Sequence, residues 1–250
     1  MIKNFGLFNS RPHHPIGGFE GRPMVKRLVI IILLGLIYPL TITGSDVWNL
    51  VSEDNGLRLY SKVRHGAVTS EYKGVCRVNH PIETVASVLS DISSYPKWFF
   101  RCVQSRKIPT QASTDLNFLL YVVIDTPWPF LDRDVVYKVV TFIDATAGKI
   151  VVRSTAVETS LMRPQKNYVR ITDSDLQWIL EQRTDGQTQI TFINRTHAAG
   201  YWGDIISGSG ARATTLHSLE NLKERLKMLY SHRGTNKTGH GAFSRIVIPI

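Results

Sequence analysis

From residue 102 to residue 197 the chain alternates apolar and polar side chains almost without a break, and it then ends on one long amphipathic segment. In 117–125, Phe118, Leu120, Val122 and Ile124 fall on one face, with Leu119, Tyr121 and Val123 on the other beside Asn117 and Asp125. In 135–140 Lys138 belongs in water, so parity turns Val135, Tyr137 and Val139 inward. Residues 149–157 expose Lys149 and Arg153 and turn Ile150, Val152 and Ala156 in. Residues 168–182 begin with Val169 and Ile171 inward and end with Leu176, Trp178 and Leu180 inward, so the parity flips across 172–175 and predicts a bulge or bend. Asp185 and Gly186 make a hairpin turn into 187–197, which offers Ile190 and Phe192. From about residue 210 to 230, Ala213, Leu216, Leu219, Leu222, Leu226 and Leu229 recur every three or four positions, the spacing of one helical stripe. A sheet with one apolar face and a helix with one apolar stripe hide both most simply when the sheet wraps the helix. The expected class is therefore α+β, a curved antiparallel β-sheet wrapped around a long C-terminal α-helix.

One stretch does not fit a strand. In 126–132, Pro127 and Pro129 lack an N–H and have fixed φ, which excludes them from a central strand. Trp128, Phe130 and Leu131 are therefore large apolar groups on a loop, followed by Asp132, Arg133 and Asp134 before the strand that starts at Val135. Such a loop touches something apolar: it is either a hairpin loop tucked under a helix or the gate of a ligand site.

The chain has 250 residues, 43% of them hydrophobic, enough for one substantial domain. Its net charge of +10 suggests nucleic acid, but the excess sits mainly in the ends. Residues 1–45 hold five basic and one acidic residue, and residues 231–250 three basic and no acidic one. The body lacks a basic run interleaved with aromatics, so no nucleic-acid partner is expected, and a loose attraction to anionic lipid headgroups is what remains. Two cysteines, Cys76 and Cys102, are too few for a zinc set or a disulfide framework. They read as ordinary half-buried thiols, or as a pair if the chain is exported.

Met24, Val25, Lys26 and Arg27 precede an apolar run, 28–40, broken only by Gly35, Tyr38 and Pro39, and then the small residues Thr43, Gly44 and Ser45. That order reads as a secretory signal over 24–45 with cleavage near Ser45, or else as an uncleaved anchor over 28–42. The run is shorter than the roughly 20 residues of a bilayer span. Export to a periplasmic or extracellular space is the expectation. Residues 1–23 are a disordered tail or lie ahead of a true start at Met24, and 231–250 form a disordered tail, leaving 46–230 as the folded domain.

Within that domain, 46–52 suggests a short helix from Asp46 carrying Trp48, Leu50 and Val51. Asn55 and Gly56 turn the chain into a strand over 57–64, and a second strand covers about 68–78. Asn79, His80, Pro81 and Glu83 make a helix start with Asn79 as cap, and Ile82, Val85, Ala86, Leu89 and Ile92 keep helical spacing. An aromatic turn follows, with Tyr95, Pro96, Trp98, Phe99 and Phe100. Gly200, Gly203, Gly208 and Gly210 form a flexible approach, and a hinge, before the last helix.

These residues together resemble a START domain, the steroidogenic-acute-regulatory-related lipid-transfer family of the helix-grip superfamily. Trp48 and Asn55–Gly56 ahead of 57–60, Asp91 followed by Tyr95, Pro96 and Trp98, the proline-rich loop with Arg133 and Asp134 before Val135, and Tyr168, Val169 and Arg170 ahead of Trp178 carry the resemblance, which spans about 46–230. The resemblance implies a hydrophobic tunnel between sheet and terminal helix, one bound lipid such as a sterol, a phospholipid or a fatty acyl group, and no catalytic residues. The tunnel wall falls to Phe118, Leu120, Val122, Val135, Tyr137, Val139, Val152, Trp178 and Phe192 from the sheet. Phe130 and Leu131 from the loop and Leu216 and Leu219 from the helix complete it. Trp128, Asp132, Arg133 and Asp134 would act as gate, with the three charged residues forming a local ion-pair arrangement worth about 0–1 kcal/mol if exposed.

Chemical alternatives have little support in the sequence. There is no Gly-rich phosphate loop, HExxH, CxxC or GxSxG, so no metal or cofactor is expected. His197 near Asp204, and His217, read as surface or satisfied-core groups, and Trp98, Trp128, Trp178 and Trp202 either line a slot or fill core. The expected protein is a non-enzymatic, monomeric lipid binder that meets a membrane surface transiently. The alternatives are a polyketide aromatase/cyclase-like helix-grip enzyme, which needs inward polar groups that these strands offer sparingly, and an envelope module with a filled core.

Overall fold

The computed structural model describes residues 47–63, 70–200 and 203–230. The expectations for 1–45, for 231–250 and for Trp202 lie outside these residues. Among the described residues no helix is long and apolar enough to cross a membrane.

Among the described residues ten strands form one sheet: β1 (Asn49–Asp54), β2 (Leu57–Lys62), β3 (Glu71–Val78), β4 (Cys102–Ile108), β5 (Asn117–Ile124), β6 (Arg133–Asp144), β7 (Lys149–Ala156), β8 (Val169–Arg170), β9 (Asp173–Gln182) and β10 (Thr188–His197). The order across the sheet is β1-β2-β3-β10-β9-β7-β6-β5-β4, antiparallel throughout, and β8 adds a short parallel pairing to β6. Helix α1 (Ile82–Ser90) runs into a 3-10 turn (Ile92–Lys97), and helix α2 (Gly203–Tyr230) closes the domain. The sheet grips α2, which packs against β10, β3 and β2, while α1 packs on β9. This is the helix-grip α+β arrangement.

Close approach of α2 to β3 depends on Gly74. A Cβ built there would lie 2.3 Å from Leu219 Cδ1 and 3.2 Å from Thr215 Cγ2, so the helix rests where the strand has no side chain. Leu219, Leu222 and Leu226 are fully buried in this contact, but the stripe is rotated from the one expected. It continues toward the helix N-terminus through Ser218, Thr215, Ala211 and Ser207, all buried, and leaves Leu229 exposed. Small residues serve on this face because their hydroxyls are used locally. The Ser218 hydroxyl oxygen accepts the Phe100 N–H at 3.1 Å, and Thr215 donates to the Ala211 carbonyl at 2.8 Å.

Four expectations need correction. Residues 49–54 are a strand, not part of a helix. Asn55 and Gly56 both have positive φ, 48° and 72°, the conformation of a two-residue turn whose twist suits a hairpin, so β1 pairs with β2. Asn79 does not cap α1. The first helical N–H, of Ile82, instead donates to Gln182 Oε1 at 2.9 Å, a cap supplied from β9. The single strand read over 168–182 is two, and the parity flip falls at the break between β8 and β9. The glycine-rich approach is mostly helix: α2 starts at Gly203 and includes Gly208 and Gly210, and the chain reverses at Gly200, where φ is 73°. Ser207 stabilises that first turn by donating to the Gly203 carbonyl while accepting the Ala198 N–H at 2.7 Å.

Part of the outer face of the sheet is also covered. Tyr121, Val123, Val136 and Ile108 are buried under Val157, Met162 and Tyr168, a second core beneath the 157–170 segment. Cys76 and Cys102 are both buried and both free. Burial pushes each thiol up to about 11, so neither is a ready nucleophile.

Candidate ligand cavity

The inner face of the sheet is apolar where parity puts it, but α2 covers only the β2–β3–β10 side. Across β5, β6, β7 and β9 the sheet faces α1, the aromatic turn and unfilled space. An inner cavity of about 90 Å³ is walled by Phe118, Leu120 and Val122 of β5, Tyr137 and Val139 of β6, Val152 of β7 and Trp178 of β9. Leu89 of α1 and Phe99 of the turn close it. An outer cavity of about 440 Å³ lies between the loop residues Pro127 and Phe130, the strand residues Arg133, Asn194 and Thr196, and the N-terminal half of α2. Phe99, Ile124, Tyr137 and Leu176 wall both. The larger space is of the size that holds small-molecule ligands, ≈ 300–1,000 Å³.

Several residues expected on the wall are packed core instead. Val135, Phe192 and Leu219 are buried among side chains and border neither cavity. Phe192 stacks flat on Trp178, with ring centroids 3.9 Å apart, so one face of that indole is filled by protein. Leu216 is half-buried against the main core. Of the loop residues expected on the wall, only Phe130 reaches the cavity. Leu131 is exposed, and Trp128 is 92% exposed. From α2 the wall is Ser207, Ser209, Gly210, Ala211, Ala213 and Thr214, residues too small or too polar to register as a hydrophobic stripe.

The charged triplet does not close on itself. Asp132 accepts the Thr126 N–H at 3.0 Å and so pins the loop. Arg133 and Asp134 are consecutive strand residues and point to opposite faces. Asp134, fully buried on the outer side, takes two hydrogen bonds from Arg170, from Nε at 2.9 Å and Nη2 at 2.8 Å, and a third from the Tyr121 hydroxyl at 3.1 Å. Arg133 faces the outer cavity. Its Nε donates to the Ala198 carbonyl at 3.3 Å, its Nη1 donates to the Leu131 carbonyl, and its guanidinium lies 5.9 Å from the Phe130 ring centre. Burial pulls its pKa below the ordinary arginine value, partly offset by the nearby charge of Asp132.

The inner surface also carries more polar chemistry than its alternation suggests. Thr196 donates to Asn194 Oδ1 at 2.7 Å, and Asn194 Nδ2 donates to the Ala211 carbonyl at 3.2 Å. The Ser174 hydroxyl lies 2.7 Å from that of Thr196 and 3.0 Å from that of Tyr137. Because Thr196 spends its proton on Asn194, one consistent direction runs Tyr137 to Ser174 to Thr196 to Asn194 to Ala211. Burial pushes the Tyr137 phenol up to about 12, so it stays a neutral donor. Ser174 and Asn194 were invisible as site residues in the sequence, because a serine or asparagine in a strand reads as solvent-facing.

No family model matches the chain. An uncharacterized protein of Pseudomonas aeruginosa is 24% identical over 179 residues, 72% of this chain and 86% of that protein. Among solved structures, a STAR-related lipid transfer protein from Xanthomonas axonopodis superposes with a TM-score of 0.65 at 24% identity, covering 72% of this chain and 98% of that one. Human STARD10 gives 0.64 at 17% identity, with 74% and 76% covered. Human StAR-related lipid transfer protein 5 gives 0.63 at 19%, with 83% and 97% covered. These likenesses establish the fold: it is that of the START domains.

Proposed function

Taking the START fold as premise, we propose that this chain binds one hydrophobic lipid inside the domain and carries or presents it, without chemistry. The observation that carries the reading is the apolar-walled space between β5–β9, the aromatic turn and α2, which the protein's own side chains leave open. Burying an acyl chain there is favourable by about 0.8 kcal/mol per CH₂, so such a space competes with a membrane for its ligand. Three structural neighbours named for lipid transfer support the same reading. In this account the 126–132 loop and α2 form the gate, with Trp128 meeting a membrane surface, and the protein works outside the cytoplasm as a monomer.

Ala213→Trp tests it. Ala213 lines the outer cavity on α2, and an indole there would occupy the space without touching the packed Leu219–Leu226 face. The expected result is a folded protein whose co-purifying lipid, measured by native mass spectrometry, falls at least about tenfold, as loss of a buried ligand segment of two CH₂ groups or more implies. Wild-type protein that carries no lipid and takes none from vesicles would sink the reading.

The Tyr137–Ser174–Thr196–Asn194 chain is the one observation favouring a helix-grip enzyme, since Tyr137, Thr196 and Asn194 put polar groups on the wall of the outer cavity. A polycyclic polyketide in the extract, rather than a lipid, would select that reading.

A further inference from the structure

Three charged side chains line the outer cavity: Arg101, Asp125 and Arg133. Arg101 and Asp125 cancel, their ion pair closing at 2.7 Å. The inner cavity holds Lys107 and Asp115, which also pair, at 3.7 Å. Arg133 is the exception. It is 5% exposed, and among the described residues no carboxylate lies within ion-pair distance of it. Asp132 acts on it only through space, its own Oδ1 being held by the Thr126 amide.

A guanidinium has five N–H donors in a planar fork. Here the bonds through Nε and Nη1 go to the neutral carbonyls of Ala198 and Leu131, and Nη2 makes none among the described residues. A buried cation that is only partly hydrogen-bonded is costly unless something supplies the opposite charge. The space beside it is the largest unfilled, mainly apolar volume among the described cavities, and it shares the walls Phe99, Ile124, Tyr137 and Leu176 with the inner one.

We propose that the cavity selects an amphiphile with an anionic head, a carboxylate or a phosphate, whose head accepts from the free edge of Arg133 in the outer cavity while its hydrocarbon runs toward Trp178. The inference rests on the carrier reading and narrows it. A neutral sterol or ester leaves the cation unmatched, whereas an anionic group gives the charge-assisted geometry for which arginine is suited. Phe130, beneath the guanidinium, and Asp132, tying the loop through Thr126, place the head directly under the gate.

The test is displacement of a fluorescent acyl probe from the full chain by palmitic acid, palmityl phosphate and methyl palmitate, which share one tail. The expected result is that at least one anion binds about tenfold or more tighter than the ester, the size of a charge-assisted hydrogen bond. Which anion wins identifies the head. Arg133→Gln should erase that ratio. Equal binding of ester and both anions overturns the anion inference while leaving the carrier reading standing. Failure of all three to bind overturns both. Because the wild-type ratio needs no variant, the outcome stands even if Arg133→Gln does not fold. If it folds and keeps the ratio, Arg133 is not the contact.

Discussion

Leu219→Glu should leave a chain that does not fold cooperatively at room temperature. Leu219 is 0% exposed and presses into the gap above Gly74. An ionised carboxylate there has no compensating bond, and a protonated one still gives up the leucine's packing. Either route costs more than about 4–5 kcal/mol, against a total stability of about 5–15. The comparison that gives the result meaning is Leu229→Glu. Both leucines belong to the same apparent stripe in the sequence, yet Leu229 is 40% exposed, and its substitution should change stability by no more than about 0.5 kcal/mol. Urea unfolding followed by near-UV circular dichroism separates them. Similar losses from the two variants would mean that α2 is rotated relative to the sheet from the orientation described.

That rotation marks the limit of what the sequence discloses. Strand parity is a short-range signal with a period of two. It placed Leu120, Val122, Tyr137, Val139 and Val152 on the inner wall, because each strand's charged residues fix which face is wet. The terminal helix was equally visible as a period, but its buried face was not. The eye follows leucines, whereas the structure buries Ser207, Ala211, Thr215 and Ser218 at the close approach and at the cavity. The same blindness hid the polar chain from Tyr137 to Asn194, whose members gain meaning only when β6, β9 and β10 lie side by side. Contacts distant in sequence were unreadable in principle, as with Gln182 capping α1 across 100 residues. The triplet Asp132, Arg133 and Asp134 shows both sides of this. Its importance was legible, but the partners were not, since Asp134 turns outward to Arg170 and Arg133 turns inward to the cavity.

Asp134→Ala should cost about 3–5 kcal/mol, several times what a surface ion pair contributes. The carboxylate is fully buried and engaged by both Arg170 and Tyr121, and removing it strands a guanidinium that is only 9% exposed. Among the described residues Arg170 makes one other hydrogen bond, from Nη1 to the Met162 carbonyl at 3.0 Å. The pair also fastens the 157–170 segment to the sheet, since β8 lies beside β6 at Arg133–Asp134 and the Val169 N–H donates to the Asp132 carbonyl at 2.9 Å. Hydrogen exchange in 157–170 should therefore accelerate more than exchange in β3 or β10. A double replacement, Asp134→Leu with Arg170→Met, should recover much of the loss, because a buried pair of charges contributes little net stability once neither is left alone. Denaturant midpoints for the two singles and the double complete the cycle. Additive losses would show that the two side chains stabilise the domain independently, and would remove the ion pair as the clamp that holds the outer segment and, through Asp132 and Arg133, the loop above the cavity.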